Sequence, residues 1–429
     1  MRILVDSCSY TGQNVGDLAM LRVAVSRLRQ LWPDASIQVI TDAPQAVAAQ
    51  SGSVEPVPVR GRRVVLQHRL LGRLEQVLPA SVAGRWRSVE DRLHSRYPGV
   101  IRFAQRLKFG LGDRNTDGAR FLDAIDGADL VAVCGSGVMT DAFAESALGV
   151  LATLDMAIER GIPTAMFGQG LGPIVSAELR ARAAEVLPRV RLVAVRERLA
   201  SLPLLASLGM RSDRIIVTGD DAIELALQGG AADGEDVAGG GRHIGVNLRV
   251  APYSEIGREH FETVREALRA ASQAHGATLA PVPIAHKRNL DVVTLRDLLA
   301  GLPAHEADGG ASLNTPDRVI RRVSECRVVV TGSYHGGVFA LAQGIPTVAL
   351  ASSRYYVDKM TGLADQFGAG CDVLTLERGL PACRIRDAIS AAWESAPRLR
   401  PALRARAAEQ VDRARAAYAL LPGLVAQTE

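Results

Sequence analysis

The stretch TGSYHGGVFALAQGIPTVAL, Thr331 to Leu350, packs a strand end, a polar turn, a helix and another strand into twenty residues. Just before it, the short β-branched run Arg327 to Val330 reads as a buried parallel strand. Gly332, Ser333, Tyr334 and His335 form the polar break, Gly336 and Gly337 remove side chains, and the helix is expected from Val338. His335 then stands near a helix N-terminus, where unpaired amides and the helix dipole favour an anion. The plainer reading is a strand-to-helix turn whose histidine only hydrogen-bonds the backbone. The stretch is apolar enough to cross a membrane, but Gly, His, Gln and Pro interrupt it.

The same rhythm of strand, polar turn and helix extends outward from this stretch in both directions. Strands are expected at Ile3–Asp6, Ser36–Thr41, Ala128–Val133, Pro163–Phe167, Arg191–Val195 and Ile215–Val217, with a helix beginning at Arg196. Their ends carry the polar loop SCSYTGQNVGD, the turn CGSGVMTDAF, the turn GQGLGP and the pair Asp220-Asp221. Gln228 to Gly241 reads as a glycine-rich linker. Beyond it come strands at His243–Arg249 and Thr278–Ile284, the loop AHKRNLD, and a helix at Asp317–Ser324. The fold expected is α/β and GT-B-like, with two Rossmann-like domains facing each other across a cleft. Its parts are an N-terminal domain over 1–227 with a basic helical insertion at about 60–120, a linker over 228–241, a C-terminal domain over 242–380 and a helical tail over 381–429.

At 429 residues the chain is long for one core, and 48% hydrophobic with 22% charged residues is a globular composition. No secretory signal is visible, so a cytoplasmic location is expected. Cys8, Cys134, Cys326, Cys371 and Cys383 are scattered, which argues for reduced thiols and against zinc. No metal is expected at Asp220 and Asp221 either, since no further ligands accompany them. The net charge is +4, yet residues 60 to 120 hold fourteen Lys and Arg against five Asp and Glu. That block suits a phosphate-bearing acceptor, a lipid surface or nucleic acid, or else is a solvated helical insertion. Lysine occurs only at Lys108, Lys287 and Lys359.

Taken in order, NVGD (Asn14–Asp17), GSG (Gly135–Gly137) with Asp141, GQGLGP, VRERLAS with Arg196, TGD (Thr218–Asp220), GVNLR with Arg249, the His-Gly turn and RYYVDKMTGL resemble the polysaccharide pyruvyl transferase family over roughly residues 3 to 368. The resemblance implies a transferase that moves the enolpyruvyl carbons of phosphoenolpyruvate to a saccharide or polyol hydroxyl, forming a pyruvate ketal. It implies work in exopolysaccharide, cell-wall or secondary-metabolite synthesis, with phosphoenolpyruvate as donor substrate and no cofactor. The acceptor would be a saccharide, lipid- or nucleotide-linked, and the basic insertion would bring the enzyme to the inner face of the membrane. Nucleic acid is not an expected partner.

This chemistry needs a proton at the donor's methylene carbon and cations for its carboxylate and phosphate. His335 is the candidate acid/base, while Asp17 and Asp141 are candidate contacts to the acceptor hydroxyl, or else helix N-caps. Arg249, Lys287 and Lys359 are candidate anion holders, with the backbone at Gly336 adding donors. Asn14, Gly16, Gly135, Gly137, Gln169, Arg196, His286, Ser333, Tyr334 and Arg354 complete the expected substrate-binding set. Arg196, placed at a helix start, opposes the dipole there, which points to an ion pair with Glu197 or a role facing the cleft. Many relatives carry Arg-x-His where this chain has Ser333-Tyr334-His335. The lost cation would come from Arg354, Arg288 or a lysine, or the donor would differ. The alternatives are a GT-B glycosyltransferase using a nucleotide-sugar donor and a non-catalytic polyanion- or carbohydrate-binding module.

Overall fold

The computed structural model describes residues 1–67, 116–229, 241–377 and 379–427. The basic helical insertion expected at about 60–120 therefore lies mostly outside the described residues, as does nearly all of the glycine-rich linker. Among the described residues no helix is long and apolar enough to cross a membrane.

Seven strands build the first sheet: β1 (Arg2–Asp6), β2 (Ser36–Ile40), β3 (Glu55–Val57), β4 (Leu130–Val133), β5 (Thr164–Gln169), β6 (Leu192–Val195) and β7 (Ile215–Val217). Their order is β3-β2-β1-β4-β5-β6-β7 and every pairing is parallel. The second sheet holds β8 (His243–Asn247), β9 (Thr278–Pro281), β10 (Cys326–Thr331), β11 (Thr347–Ala351) and β12 (Cys371–Thr375), again all parallel, in the order β12-β11-β10-β8-β9. β4 and β6 both read LVAV and are buried at all four positions, as a parallel sheet covered on both faces requires.

The strand order reverses once in each sheet, between β1 and β4 and between β8 and β10. At such a reversal the connections leave to opposite sides and open a crevice at the strands' carboxyl ends, where α/β proteins place ligands. The loop carrying Asn14 to Asp17 and the Gly135–Gly137 turn follow β1 and β4. Arg249 and the Ser333–His335 turn follow β8 and β10. Topology thus brings four of the motifs to two crevices.

Several boundaries differ from those the sequence pattern predicts. The helix after β10 begins at Tyr334, not Val338, and all nine of its residues to Ala342 are buried. Gly336 and Gly337 do not break it; they let it lie on the sheet. A methyl group on Gly336 would come within 2.5 Å of the Thr331 hydroxyl. No helix starts at Arg196, since the next one runs Ser201–Ser207, so the conflict with a helix dipole does not arise. β9 ends at Pro281, short of Ile284, because Pro281 and Pro283 offer no N–H to a ladder.

The long helix Ala382–Tyr418 ties the two sheets together. Its first turns place Ile385 and Ile389 in the core of the second sheet. Its last turn reaches the first sheet, where the Tyr418 ring stacks on Phe167 of β5 at 3.7 Å between centroids. The Tyr418 hydroxyl donates to Asp221 Oδ2 at 3.0 Å, and Arg27 holds Asp221 Oδ1 at 2.7 Å. Asp221 is fully buried, so losing one donor leaves an unsatisfied carboxylate oxygen. Tyr418→Phe should cost about 1–3 kcal/mol, read as a lower urea midpoint at unchanged slope.

Candidate functional site

Asn14, not Asp17, caps the helix Val15–Leu31: its Oδ1 accepts from the amides of Gly16 at 3.0 Å and Asp17 at 3.4 Å. That leaves the Asp17 carboxyl without a capping duty. Burial pushes its pKa up, while Ser9, Lys359, Arg196 and Arg249 pull the other way. Asn14 also bridges to Ala285 of the second half, and His286 donates its backbone N–H to Gln13 O at 2.7 Å, so the two loops are stitched across the crevice.

Across from this loop sits His335, 6% exposed. Gly16 is required here by closeness: a methyl group on it would lie 2.0 Å from His335 Cγ. The imidazole Nε2 is 3.7 Å from Asp220 Oδ2 and, though buried, has no hydrogen-bond partner. Burial, with Arg196, Lys359 and Arg249 behind it, holds its pKa well below the usual histidine range, so the ring is neutral at pH 7.

Three polar side chains converge on the Gly135–Gly137 turn. A methyl group on Gly137 would fall 2.7 Å from Tyr355 Oη, 2.8 Å from Lys359 Nζ and 2.9 Å from Arg196 NH2. Tyr355 donates to Gly137 O at 2.8 Å and Lys359 donates to Tyr355 Oη at 2.9 Å. Lys359 is four residues beyond Tyr355 on one helix face, and its Nζ also lies 4.4 Å, 5.2 Å and 5.5 Å from the ring centroids of Tyr355, Tyr334 and Tyr356. Burial and the neighbouring arginines push its pKa well down from the ordinary lysine value.

Arg196 follows β6 directly and is 1% exposed. Its NH1 meets Asp220 Oδ2 at 3.3 Å, its guanidinium lies 4.0 Å over the Tyr334 ring, and its NH2 is buried without a partner. The ion pair with Glu197 is replaced by one with Asp220, because the Glu197 carboxylate caps the following helix through the amides of Ala200 and Ser201, each at 2.8 Å. A narrow crevice of about 10 Å³, lined by Gly170, Arg196, Tyr355 and Lys359 among others, lies beside these cations.

Other expected residues are engaged elsewhere. Arg249 is locked to Asp291 by two bonds of 2.8 and 2.9 Å, which neutralises the charge expected to hold an anion. Its remaining contacts, to Tyr253 Oη and Ser333 Oγ at 3.3 Å each, make it a brace for the Ser333 turn. Asp141 accepts from the amides of Val175 at 2.5 Å and Ser176 at 3.3 Å, so it fastens a loop and is not placed as a base. Gln169 donates to three backbone carbonyls, of Val133, Cys134 and Phe167, and Gly135 packs against Met20. Lys287 and Arg288 are exposed on a short 3₁₀ turn, and His286 is only half-buried. Arg354 has an 84% exposed side chain 3.6 Å from Asp358.

The profile of the polysaccharide pyruvyl transferase family matches residues 14–354, which takes in both crevices. The chain belongs to that family. It is therefore a transferase of polysaccharide modification, and membership implies a saccharide acceptor. Among the described residues, of the cations expected to offset Ser333, Lys359 lies beside the turn at Gly137, whereas Arg354, Arg288 and Lys287 are exposed to solvent. No curated protein matches the chain.

Solved structures share its fold. UDP-GlcNAc 2-epimerase from Neisseria meningitidis, bound to UDP-GlcNAc, superposes with a TM-score of 0.56 at 12% identity, covering 99% of this chain and 100% of that one. Anabaena HepE, in complex with UDP and glucose, gives 0.55 at 13% identity with 100% of each chain covered. A glycosyltransferase from Rickettsia africae gives 0.55 at 10% identity, covering 100% and 98%. These likenesses establish the GT-B architecture.

Asp220 and Tyr355 were not among the residues expected from the sequence. Tyr355 could have been found from its i, i+4 spacing to Lys359. Asp220 carried a signal in TGD after a strand, but Asp221 beside it made the pair read as a weak metal motif.

Proposed function

We propose that this transferase moves the enolpyruvyl carbons of phosphoenolpyruvate to a saccharide hydroxyl, giving a pyruvate ketal and inorganic phosphate. The observation that carries the reading is the meeting of Arg196 and Lys359 at the Gly135–Gly137 turn, with Arg196 paired to the Asp220 carboxyl that faces a neutral, unpartnered His335. A small donor bearing a carboxylate and a phosphate needs two cations on one side and a proton-transfer group on the other. No cofactor is called for by this chemistry. A lipid-linked or nucleotide-linked saccharide would be the acceptor, met in the cytoplasm or at the inner face of the membrane, where the positive charge of residues 60 to 120 would favour anionic lipid.

The second reading, a nucleotide-sugar glycosyltransferase, is favoured by one observation: structures of this fold carry UDP and UDP-GlcNAc. Thermal shift separates the two. Phosphoenolpyruvate at about 100 times its Kd should stabilise the protein by roughly 2.7 kcal/mol, whereas stabilisation by UDP-sugars alone would reject the pyruvyl reading.

A further inference from the structure

We propose that Asp220 and His335 form a proton-exchanging pair split between the two sheets, in which the Asp220 carboxyl protonates the donor's methylene carbon and His335 takes the proton of the attacking hydroxyl. This rests on the phosphoenolpyruvate reading above and reassigns the acid role from the histidine to a carboxyl that its sequence motif did not single out.

The geometry supplies the pair. Asp220 follows β7 of the first sheet and His335 follows β10 of the second, yet Oδ2 and Nε2 stand 3.7 Å apart with the Asp220 side chain fully buried. Asp220 Oδ1 is fixed by the Ala222 amide at 2.9 Å, which leaves Oδ2 to face Arg196 NH1 and the imidazole. His335 Nε2 and Arg196 NH2 are both buried and without partners, which is costly unless a ligand completes them. Arg196 NH2 and Lys359 Nζ both face Gly137, so a donor held there by its anionic groups lies beside the pair.

Protonation follows from the surroundings. Burial lifts Asp220 to about 6, with Asp221 adding to the rise and Arg196 opposing it. The charged and titratable groups around it include Arg196, Asp221, His335, Tyr334, Lys359 and Cys134. His335 is held low by burial and by Arg196, Lys359 and Arg249. In mildly acidic solution the carboxyl therefore carries the proton and the imidazole is empty. A bound anionic donor raises Asp220 further and extends that state toward neutrality.

The steps balance. Asp220 gives its proton to the methylene carbon, forming the methyl C–H bond and leaving an oxocarbenium-like centre at the adjacent carbon. The first acceptor hydroxyl forms a C–O bond there and gives its proton to His335, which returns it to Asp220 and resets the pair. The second hydroxyl attacks the same carbon, the C–O bond to phosphate breaks with its electron pair, and the phosphate leaves with the second hydroxyl's proton.

The full-length protein with Asp220→Asn and Asp220→Glu tests this, using phosphoenolpyruvate and a saccharide panel, with phosphate release, pH profiles and calorimetric phosphoenolpyruvate affinity as readouts. Wild-type kcat/KM should fall as pH rises through about 6, because the free enzyme's acid is lost there. Asp220→Asn should lower kcat at least about 100-fold while phosphoenolpyruvate affinity stays within about threefold, and Asp220→Glu should recover part of the rate and shift the alkaline limb. If Asp220→Asn folds poorly, Asp220→Glu, which keeps the charge beside Arg196, decides alone by its shifted limb. Unchanged turnover and an unmoved limb in a wild-type-like background would overturn the pair while leaving the pyruvyl reading standing. A wild-type protein that neither binds phosphoenolpyruvate nor releases its phosphate would overturn both.

Discussion

His335→Gln should lower turnover by about 10²–10⁴-fold while leaving phosphoenolpyruvate binding nearly intact, since the change removes a proton acceptor and no cation. The side chain is well placed for so large an effect: it is buried, its Nε2 has no partner, and its pKa is held below the usual range by burial and by Arg196, Lys359 and Arg249. Phosphate release at saturating donor is the measurement. A near-normal rate would remove His335 from the chemistry. The same substitution has a consequence for stability whose sign can be worked out. The folded-state pKa lies below the unfolded value of roughly 6.5, so below that pH the unfolded chain binds a proton that the folded protein refuses. Wild-type stability therefore falls as pH drops through about 6.5, and His335→Gln should flatten that part of the urea-midpoint profile.

Lys359→Met is the second large effect, expected to cut kcat/KM for phosphoenolpyruvate by about 10²–10³-fold. Methionine fills a similar space among Tyr334, Tyr355 and Tyr356 but brings no charge to the Gly137 turn. Among the described residues Lys359 shows no carboxylate bound to it, unlike Arg249 with Asp291 or Arg196 with Asp220, so its charge at the Gly137 turn is not neutralised by a paired carboxylate. Removing it should stabilise or leave unchanged the ligand-free fold, since a desolvated ammonium is lost, while weakening the donor. Unaltered kcat/KM would show that the donor's anions lie elsewhere. The pairing of lost affinity with retained stability distinguishes a ligand contact from a structural one.

The alternation of strand, turn and helix was legible because buried parallel strands leave short β-branched runs such as RVVV and LVAV. Lys359 stands out in the sequence because lysine is so scarce, and His335 because it follows a strand; the structure places them beside Arg196 and Asp220, respectively. The pairing of Arg249 is not visible in the sequence for a physical reason: its partner Asp291 is 42 residues away and reaches it only because β9 pairs with β8. Asp141 was misread because the amides of Val175 and Ser176 that hold it belong to the loop after β5. Asp220 was passed over because its importance lies in a neighbour from the other sheet, and local spacing carries no record of contacts made across a crevice. Ser333 could be seen as a missing cation, but that Arg249 braces it and Lys359 stands at the opposite turn depends on how the halves meet.

The most direct test of the account is to incubate the full-length protein with phosphoenolpyruvate and saccharide precursors of envelope polymers, following inorganic phosphate and the mass of the saccharide together. Acceptor-dependent phosphate release, matched by a saccharide that has gained a carboxyethylidene group, is the result predicted here. Release of UDP from a nucleotide sugar, with phosphoenolpyruvate left untouched, would contradict it.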